Sequence, residues 1–312
     1  MIIVIDALNK HRFQGVLDEM HKLRARVFQG RLGWDVTVRD GREADVFDSL
    51  DPAHVVCLDA DGDVVGCMRL LQTTGPHMLS DVFNDLLDGE PPLRSSRIWE
   101  ATRFCVDTAK LGGGKTRNSI SYVTSEVMIG AFEYAREAGV LDAVAVIDPV
   151  MNRVMIRSAN APCDYLGSPK PMGKVTAMAA LMDCSEDRIQ AIRDFAEIRH
   201  DVFLTEDSAE ELFQRNRAQQ ASRPAAARMS SNAKTEKAHP MPAKRKTPRI
   251  NALQLYCCEQ ILNAKSQSDI NAAQALVEAL SDKLGTNSAA ELCRMTRASA
   301  RGARQSVLVA AK

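Results

Sequence analysis

The middle of the chain constrains the fold most, because strand and helix patterns alternate there. A β-rich run at about 98–107 leads through a glycine-rich loop at 108–118 into a helical pattern at 119–138, which ends at Gly139. A second buried run follows at 141–148. Glycine just past a helix is a common terminator, and strand, helix and strand in this order are typical of α/β domains. The sequence therefore predicts an α/β domain.

The flanking segments extend this domain. Apolar residues recur at helical spacing in 12–28, which predicts an amphipathic helix. Two β-rich runs surround an Asp-Gly pair in 54–73, which is a strong hairpin signal. We expect a helix at 149–159 and then a closing strand and loop, while 186–214 carries charged residues at helical spacing.

The distribution of charge divides the chain into parts. Residues 1–214 carry 34 acidic and 23 basic side chains, whereas residues 215–312 carry 6 and 17. Residues 215–250 are rich in Ala, Ser, Pro and basic residues, a composition that cannot bury enough apolar surface to order. We therefore predict a domain at 1–214, a disordered basic linker at 215–250 and a small helical module of unknown role at 251–312.

Composition predicts a cytoplasmic protein without a membrane span. The chain starts MIIVIDALNK, which lacks the features of a signal peptide, and no apolar run approaches the roughly 20 residues of a membrane helix. The eight cysteines are scattered through apolar segments with no metal-ligand spacing, so reduced core thiols and no metal site are expected.

Several charged residues lie in segments that otherwise look apolar. They are Arg24, Asp45, Asp48, Arg69, Glu100 and Arg103. Buried charges are costly unless they are paired, so their number suggests one shared polar cleft. Two or three separate structural ion pairs would account for the same pattern.

These residues resemble the signature of the acyl-homoserine lactone synthases of the autoinducer synthase family. The matching positions are Arg24 and Phe28, Trp34, Asp45 and Asp48, Arg69, Phe83, and Glu100, Arg103 and Phe104. The resemblance spans residues 1 to about 185. It implies an N-acetyltransferase-like fold, with a mixed twisted sheet flanked by helices and splayed to admit a pantetheine arm.

The resemblance also implies the substrates. They are S-adenosylmethionine and an acyl chain on acyl carrier protein or, in its place, acyl-CoA; no cofactor is expected. The products are the lactone, a quorum-sensing signal, and methylthioadenosine. The residues assigned to S-adenosylmethionine are Arg24, Phe28, Trp34, Asp45 and Asp48. The aspartates suit its cationic end, the aromatic rings its sulfonium or adenine, and one of Arg24, Arg69 and Arg103 its carboxylate.

The catalytic residues are expected to be Glu100, Arg103 and Arg69. Acylation needs a neutral amine, whereas an α-amino group with a pKa of about 8 is mostly protonated at neutral pH. Glu100 is therefore the candidate general base. Strict alternation would point Glu100 and Arg103 to opposite faces, so the strand must bulge or splay if both line one site.

A third set of residues is expected to contact the acyl chain and the phosphopantetheine: Phe83, Phe104, Lys115, Arg117 and Ala145. The two basic residues lie in a glycine-rich loop before a helix, which suits a phosphate. Many relatives that favour 3-oxo chains carry a threonine in the strand at 143–147, and this chain reads AVAVI there. An unsubstituted or 3-hydroxy chain is expected.

Two alternatives stay open. The first is an ordinary N-acyltransferase that uses acyl-CoA on another amine. The second concerns the basic residues after 214, which could bind nucleic acid, an anionic membrane or the acidic carrier protein. A solvated extension without a partner would show the same composition.

Overall fold

A computed structural model describes residues 1–112, 119–172 and 175–222. The strands are β1 (Ile2–Ile5), β2 (Val38–Arg39), β3 (Arg42–Glu43), β4 (Ala53–Leu58), β5 (Val64–Gln72), β6 (Ile98–Val106), β7 (Asp142–Ile147), β8 (Asp164–Met172) and β9 (Val175–Asp183). The α-helices are α1 (Gln14–Arg24), α2 (Met78–Asp81), α3 (Ile120–Glu137), α4 (Pro149–Arg157), α5 (Glu186–Ala196) and α6 (Glu206–Ser222). A π-helical segment, Ala25–Arg31, continues α1, and two 3-10 helices span Val46–Leu50 and Asn84–Leu87.

Seven strands form one sheet in the order β1-β4-β5-β6-β7-β9-β8, and β2 pairs with β3 in a separate ribbon. Neighbouring strands of the sheet are antiparallel except β6 and β7, which are parallel. The predicted mixed α/β sheet is therefore confirmed. The parallel pairing of β6 with β7 requires a crossover, and α3 lies in it.

Helices cover both faces of the sheet. Helix α3 packs on β4, β5 and β6 and is itself covered by α5, and its apolar side chains join those of β7 in the largest core cluster. On the opposite face, α1 and α6 share a second cluster with β4 and β5. A third cluster joins α2 and the second 3-10 helix to β7 and β9.

The predicted hairpin is present as β4 and β5, which pair antiparallel. Gly62 in its turn has φ +89, a conformation that favours glycine. A Cβ at this position would lie 2.6 Å from the carbonyl oxygen of Leu212 in α6. Glycine is therefore required both by the turn and by the close approach of the helix.

Strands β6 and β7 separate part of the way along their length. Their register begins with Ile98 opposite Asp142 and stops at Glu100 opposite Val144, although β6 continues to Val106. The separation interrupts the ladder at the centre of the sheet. This is the splay that the resemblance implied.

Some boundaries differ from the predicted ones. Helix α6 continues to Ser222, so residues 215–222 belong to a helix and not to the expected linker. Asn216 is buried there and donates a hydrogen bond to the carbonyl oxygen of Asp61 at 2.9 Å. The segment up to 183 forms a two-stranded hairpin, β8 and β9, where one strand and a loop were expected.

The rest of the predicted linker and the predicted module at 251–312 lie outside the described residues. In the part of the chain that the structure describes, no helix combines the length and the apolar character needed to cross a membrane.

Candidate active site

Arg24 is a fully buried charge of the site. It is the last residue of α1, and its side chain is fully buried. Its Nε donates to Glu43 Oε2 at 2.6 Å, and its two terminal nitrogens donate to Asp48 at 2.7 and 2.9 Å. Burial alone would lower the pKa of Arg24, but the carboxylates of Asp48 and Glu43 outweigh burial and raise it. Arg24 is therefore a permanent cation held between two carboxylates.

The two aspartates are placed by a local structure of the backbone. Asp45 is the N-cap of the 3-10 helix at Val46–Leu50: its side chain accepts from Phe47 N and Asp48 N, while Asp48 Oδ2 accepts from Asp45 N. This reciprocal capping explains the spacing of three residues. It also fixes both carboxylates toward the arginines.

Arg69 joins the two aspartates from β5. Its terminal nitrogens donate to Asp45 at 2.5 and 2.9 Å, and one lies 2.9 Å from Asp48 Oδ1. Its Nε donates to Thr102 Oγ1 at 3.0 Å, and its guanidinium lies 5.6 Å from the ring centroid of Phe47. The side chain is fully buried, so Arg69 binds the two aspartates from the protein interior.

Arg103 enters the site because β6 bulges. Cys67 pairs with Cys105 and Arg69 with Thr102, so β6 has one more residue than β5 in this interval. Arg103 itself has φ +53. The conditional prediction of a bulge is confirmed, and the bulge turns a side chain that regular pleating would send to the other face.

The guanidinium of Arg103 completes the cluster. It donates to Glu43 Oε1 at 3.1 Å and to Asp45 Oδ2 at 2.6 Å. It also lies 5.6 Å from the ring centroid of Phe28. Its side chain is 12% exposed, whereas those of Arg24 and Arg69 are 0% exposed. Among the three arginines left open for a ligand carboxylate, the geometry favours Arg103.

The low exposure of Arg24 and Asp48 bears on the roles predicted for them in binding S-adenosylmethionine. Arg24 was a candidate ligand for the carboxylate of S-adenosylmethionine, but it is buried and committed to two carboxylates. Asp48, predicted to hold the cationic end, uses both oxygens for Arg24 and Asp45 N. Their roles toward S-adenosylmethionine stay predictions. Asp45 is the more open carboxylate, at 19% against 10% for Asp48.

An aromatic pair borders the cluster on its exposed side. Phe28, in the π-helical segment, is buried, and Trp34 stacks on it with ring centroids 5.2 Å apart and planes at 23°. Trp34 is 37% exposed. The pair lies next to Arg103, and its predicted binding of a sulfonium or an adenine stays a prediction.

Glu100 lies on β6, three residues before Arg103, and is fully buried. Its carboxylate oxygens accept hydrogen bonds from Met78 N at 2.6 Å and Leu79 N at 2.7 Å, at the start of α2. Burial raises the pKa of Glu100 to about 7, although these two N–H groups act against the shift. A carboxyl that titrates near neutral pH has the acidity that suits a general base.

The residues predicted for the acyl chain divide between the two faces of the sheet. Phe104 and Ala145 belong to the cluster on the α3 side. Phe83 packs in the cluster on the other side, with Val144 and Val146. Alternation along β7 explains the division, so Ala145 and Phe83 do not face one common surface. Lys115 and Arg117 lie outside the described residues.

Glu43 belongs to the cluster but was missed by the sequence analysis. It is fully buried on β3 and accepts from both Arg24 and Arg103. One signal pointed to it. It lies two residues before Asp45, on the same side of an extended chain.

Comparison with known proteins places this site in a family. The family model described as autoinducer synthase matches residues 9–192. A probable acyl-homoserine-lactone synthase from Sinorhizobium fredii is 35% identical over 178 residues, which are 57% of this chain and 85% of the relative. An acyl-homoserine-lactone synthase from Pseudomonas aeruginosa is 38% identical over 145 residues, which are 46% of this chain and 70% of the relative.

Solved structures agree with these relatives. The crystal structure of the synthase LasI is 31% identical, with a TM-score of 0.54 over 64% of this chain and 98% of LasI. The CoA-dependent acyl-homoserine lactone synthase MesI is 26% identical, with a TM-score of 0.57 over 65% of this chain and 98% of MesI. The residues matched by the family model, 9–192, include the charged cluster. The chain belongs to the autoinducer synthase family, and it is an acyltransferase.

Proposed function

We propose that this chain makes an acyl-homoserine lactone, a quorum-sensing signal, from S-adenosylmethionine and an acyl thioester. The observation that carries this proposal is the combination of a charge-balanced cluster with an aromatic pair whose outer ring, Trp34, is exposed. Three arginines meet Glu43, Asp45 and Asp48, and the exposed edge of the cluster carries Arg103 and Asp45 beside the stacked rings. S-adenosylmethionine presents a carboxylate, an ammonium and a sulfonium, so it needs both signs of charge and an aromatic surface.

Each part of the substrate has a candidate partner in this arrangement. Arg103 would take the carboxylate as a fork. Asp45 would take the ammonium, and the Phe28–Trp34 pair would face the sulfonium or the adenine. Arg24 and Asp48 would hold these groups in place without touching the ligand.

The first chemical step is acylation of the amine. Glu100 would remove a proton from the ammonium, directly or through one water, and the neutral amine would attack the thioester carbonyl. The thiol of the carrier leaves. A pKa of about 7 lets Glu100 accept this proton at neutral pH without binding it too tightly.

The second step closes the lactone. The substrate carboxylate attacks its own γ-carbon, and methylthioadenosine leaves with the electrons of the carbon–sulfur bond. A sulfonium is a good leaving group, so the site needs mainly to hold the carboxylate and the γ-carbon in line. Arg103 would orient the carboxylate for this attack.

The acyl thioester would enter where β6 and β7 separate. The register between the strands ends at Glu100 and Val144, so the gap begins beside the proposed base, with Phe104 and Ala145 on one side. Acyl carrier protein is the proposed donor. Acyl-CoA presents the same pantetheine arm, and MesI, at 26% identity, is described as CoA-dependent.

Parallel assays with the two donors test this part of the proposal. The same acyl chain is supplied on acyl carrier protein and on CoA, with S-adenosylmethionine in excess, and lactone is measured over time. A higher kcat/KM with the carrier protein is the expected result. A higher kcat/KM with acyl-CoA would identify acyl-CoA as the donor in place of acyl carrier protein. The absence of lactone with both donors would reject the proposed function.

A further inference from the structure

The thioether of Met78 lies between two guanidinium groups of the site. Its sulfur is 3.4 Å from Arg69 Nη2 and 3.4 Å from Arg103 Nη1. The other polar contacts of these two arginines are to carboxylate or hydroxyl oxygens of Asp45, Asp48, Glu43 and Thr102. A thioether is a weak acceptor, whereas a guanidinium binds a carboxylate strongly. The N–H groups that face the sulfur are therefore the least well satisfied donors of the arginine pair.

The backbone of Met78 is fixed while its side chain is adaptable. Met78 N donates to Glu100 Oε2 at 2.6 Å, and Leu79 N holds the other oxygen. The preceding residue is also held, since His77 N donates to Asp81 at 2.8 Å. Methionine is unbranched and has three rotatable side-chain bonds. The side chain can therefore leave the arginines without disturbing the contact between α2 and Glu100.

The position of the sulfur matches the place where an anion is needed. Arg103 is the exposed arginine of the cluster, and its guanidinium lies over Phe28, which stacks on Trp34. A group that replaced the sulfur would contact Arg69 and Arg103 together and would lie near this aromatic pair. Such a group would be bound by two cations instead of one.

We infer that the Met78 thioether occupies the subsite for the carboxylate of S-adenosylmethionine in the free chain and moves aside when that carboxylate binds. This inference rests on the proposed function and adds a residue to it. Met78 acts as a positioning residue: in the free chain its sulfur accepts from Arg69 and Arg103, and a stronger acceptor displaces it. Its backbone meanwhile keeps Glu100 in place.

Two variants that differ only in charge test the inference. In Met78→Glu the new carboxylate would close on the two arginines and block the subsite, whereas the neutral side chain of Met78→Gln would compete weakly. Calorimetry with S-adenosylmethionine is expected to give a Kd about tenfold or more higher for the Glu variant than for the Gln variant. Decarboxylated S-adenosylmethionine, which keeps the amine and the sulfonium, should bind the Glu variant at least as tightly as the Gln variant.

Equal binding of S-adenosylmethionine by the two variants would overturn the inference, and so would an equal loss for the decarboxylated ligand. Met78→Leu provides a third variant of similar volume. Its Kd for S-adenosylmethionine should fall below that of the unchanged chain, because no acceptor then competes. A tenfold rise in that Kd, with unaltered thermal stability, would also overturn the inference. If the unchanged chain does not bind S-adenosylmethionine at all, the proposed function itself fails.

Discussion

At the scale of single residues, two opposed effects set the pKa of Glu100. Burial disfavours its charge, while the N–H groups of Met78 and Leu79 favour it, and the result is a pKa of about 7. Below that pH the carboxyl carries a proton and cannot accept another from the substrate amine. Above that pH it is ionised. An essential base of this kind makes activity rise with pH through about 7.

Replacing Glu100 by Gln tests this role. We expect Glu100→Gln to lower kcat/KM by about two to four orders of magnitude, the range associated with general base catalysis. The rise in activity centred near pH 7 should disappear as well, because the titrating group is gone. Steady-state rates between pH 5.5 and about 9 measure both effects. If the variant keeps the wild-type profile, Glu100 only caps α2.

Glu43 contributes at the same scale through charge balance. Glu43→Gln leaves Arg24 and Arg103 with one carboxylate too few, and an unpaired buried charge costs about 3 kcal/mol or more. Chemical denaturation should show a loss of this size, together with a higher KM for S-adenosylmethionine. The exposed Glu90→Gln is the matched control and should change neither quantity. Equal stabilities of the two variants would contradict the role given to Glu43.

Much of the site could be predicted at this scale, because charged residues in apolar segments are conspicuous. Arg69 and Glu100 stood out in β-rich runs, and both are fully buried. What could not be predicted was which charges meet a ligand. Exposure depends on the packing of α1, β5 and the 3-10 helix, and no local pattern reports it. The ligand-binding roles expected of Arg24 and Asp48 therefore stay predictions.

At the scale of elements, the bulge of β6 sets the geometry. Arg103 has a positive φ, which costs a residue with a Cβ about 1 kcal/mol or more. The alternation of side chains predicted that a bulge was needed if Glu100 and Arg103 line one site. It could not predict the residue at which the extra position falls, because that depends on the register with β5.

Two truncations of the Arg103 side chain test the bulge. Both Arg103→Gly and Arg103→Ala remove the guanidinium, so they differ only in the Cβ. In an ordinary strand glycine is the less stable of the two by roughly 0.5–1 kcal/mol. Here the positive φ reverses the order, and Arg103→Gly should be more stable than Arg103→Ala by about 1 kcal/mol in urea denaturation. An alanine variant of equal or greater stability would contradict the bulge.

At the scale of the whole molecule, α6 packs with the sheet and belongs to the same unit as the other described helices. Ala209 and Phe213 of this helix are buried, and Asn216 bonds to the β4–β5 turn. The sequence predicted the central strands and helices but not β1, whose four residues give no alternating pattern. It also did not predict that α6 continues past residue 214 to Ser222, because charged residues hide the apolar face of this helix.

The part of the chain beyond α6 can be tested by deletion. A chain ending at Ser222 keeps every described contact and is expected to retain its melting temperature and its lactone output. A chain ending at Leu204 loses Phe213 and should be less stable by at least about 3 kcal/mol. Salt-dependent DNA binding by the full chain, absent from the chain that ends at Ser222, would instead assign a nucleic-acid partner to the basic residues. Reduced lactone output from the chain that ends at Ser222 would contradict the expectation.

The central claim is that one site both acylates S-adenosylmethionine and closes the lactone. The most direct measurement is mass spectrometry of the products formed by the purified full chain from S-adenosylmethionine and acyl thioesters of four to sixteen carbons. Equal amounts of acyl-homoserine lactone and methylthioadenosine are the predicted result. An acylated amine without methylthioadenosine, or no product with any chain length, would contradict the account.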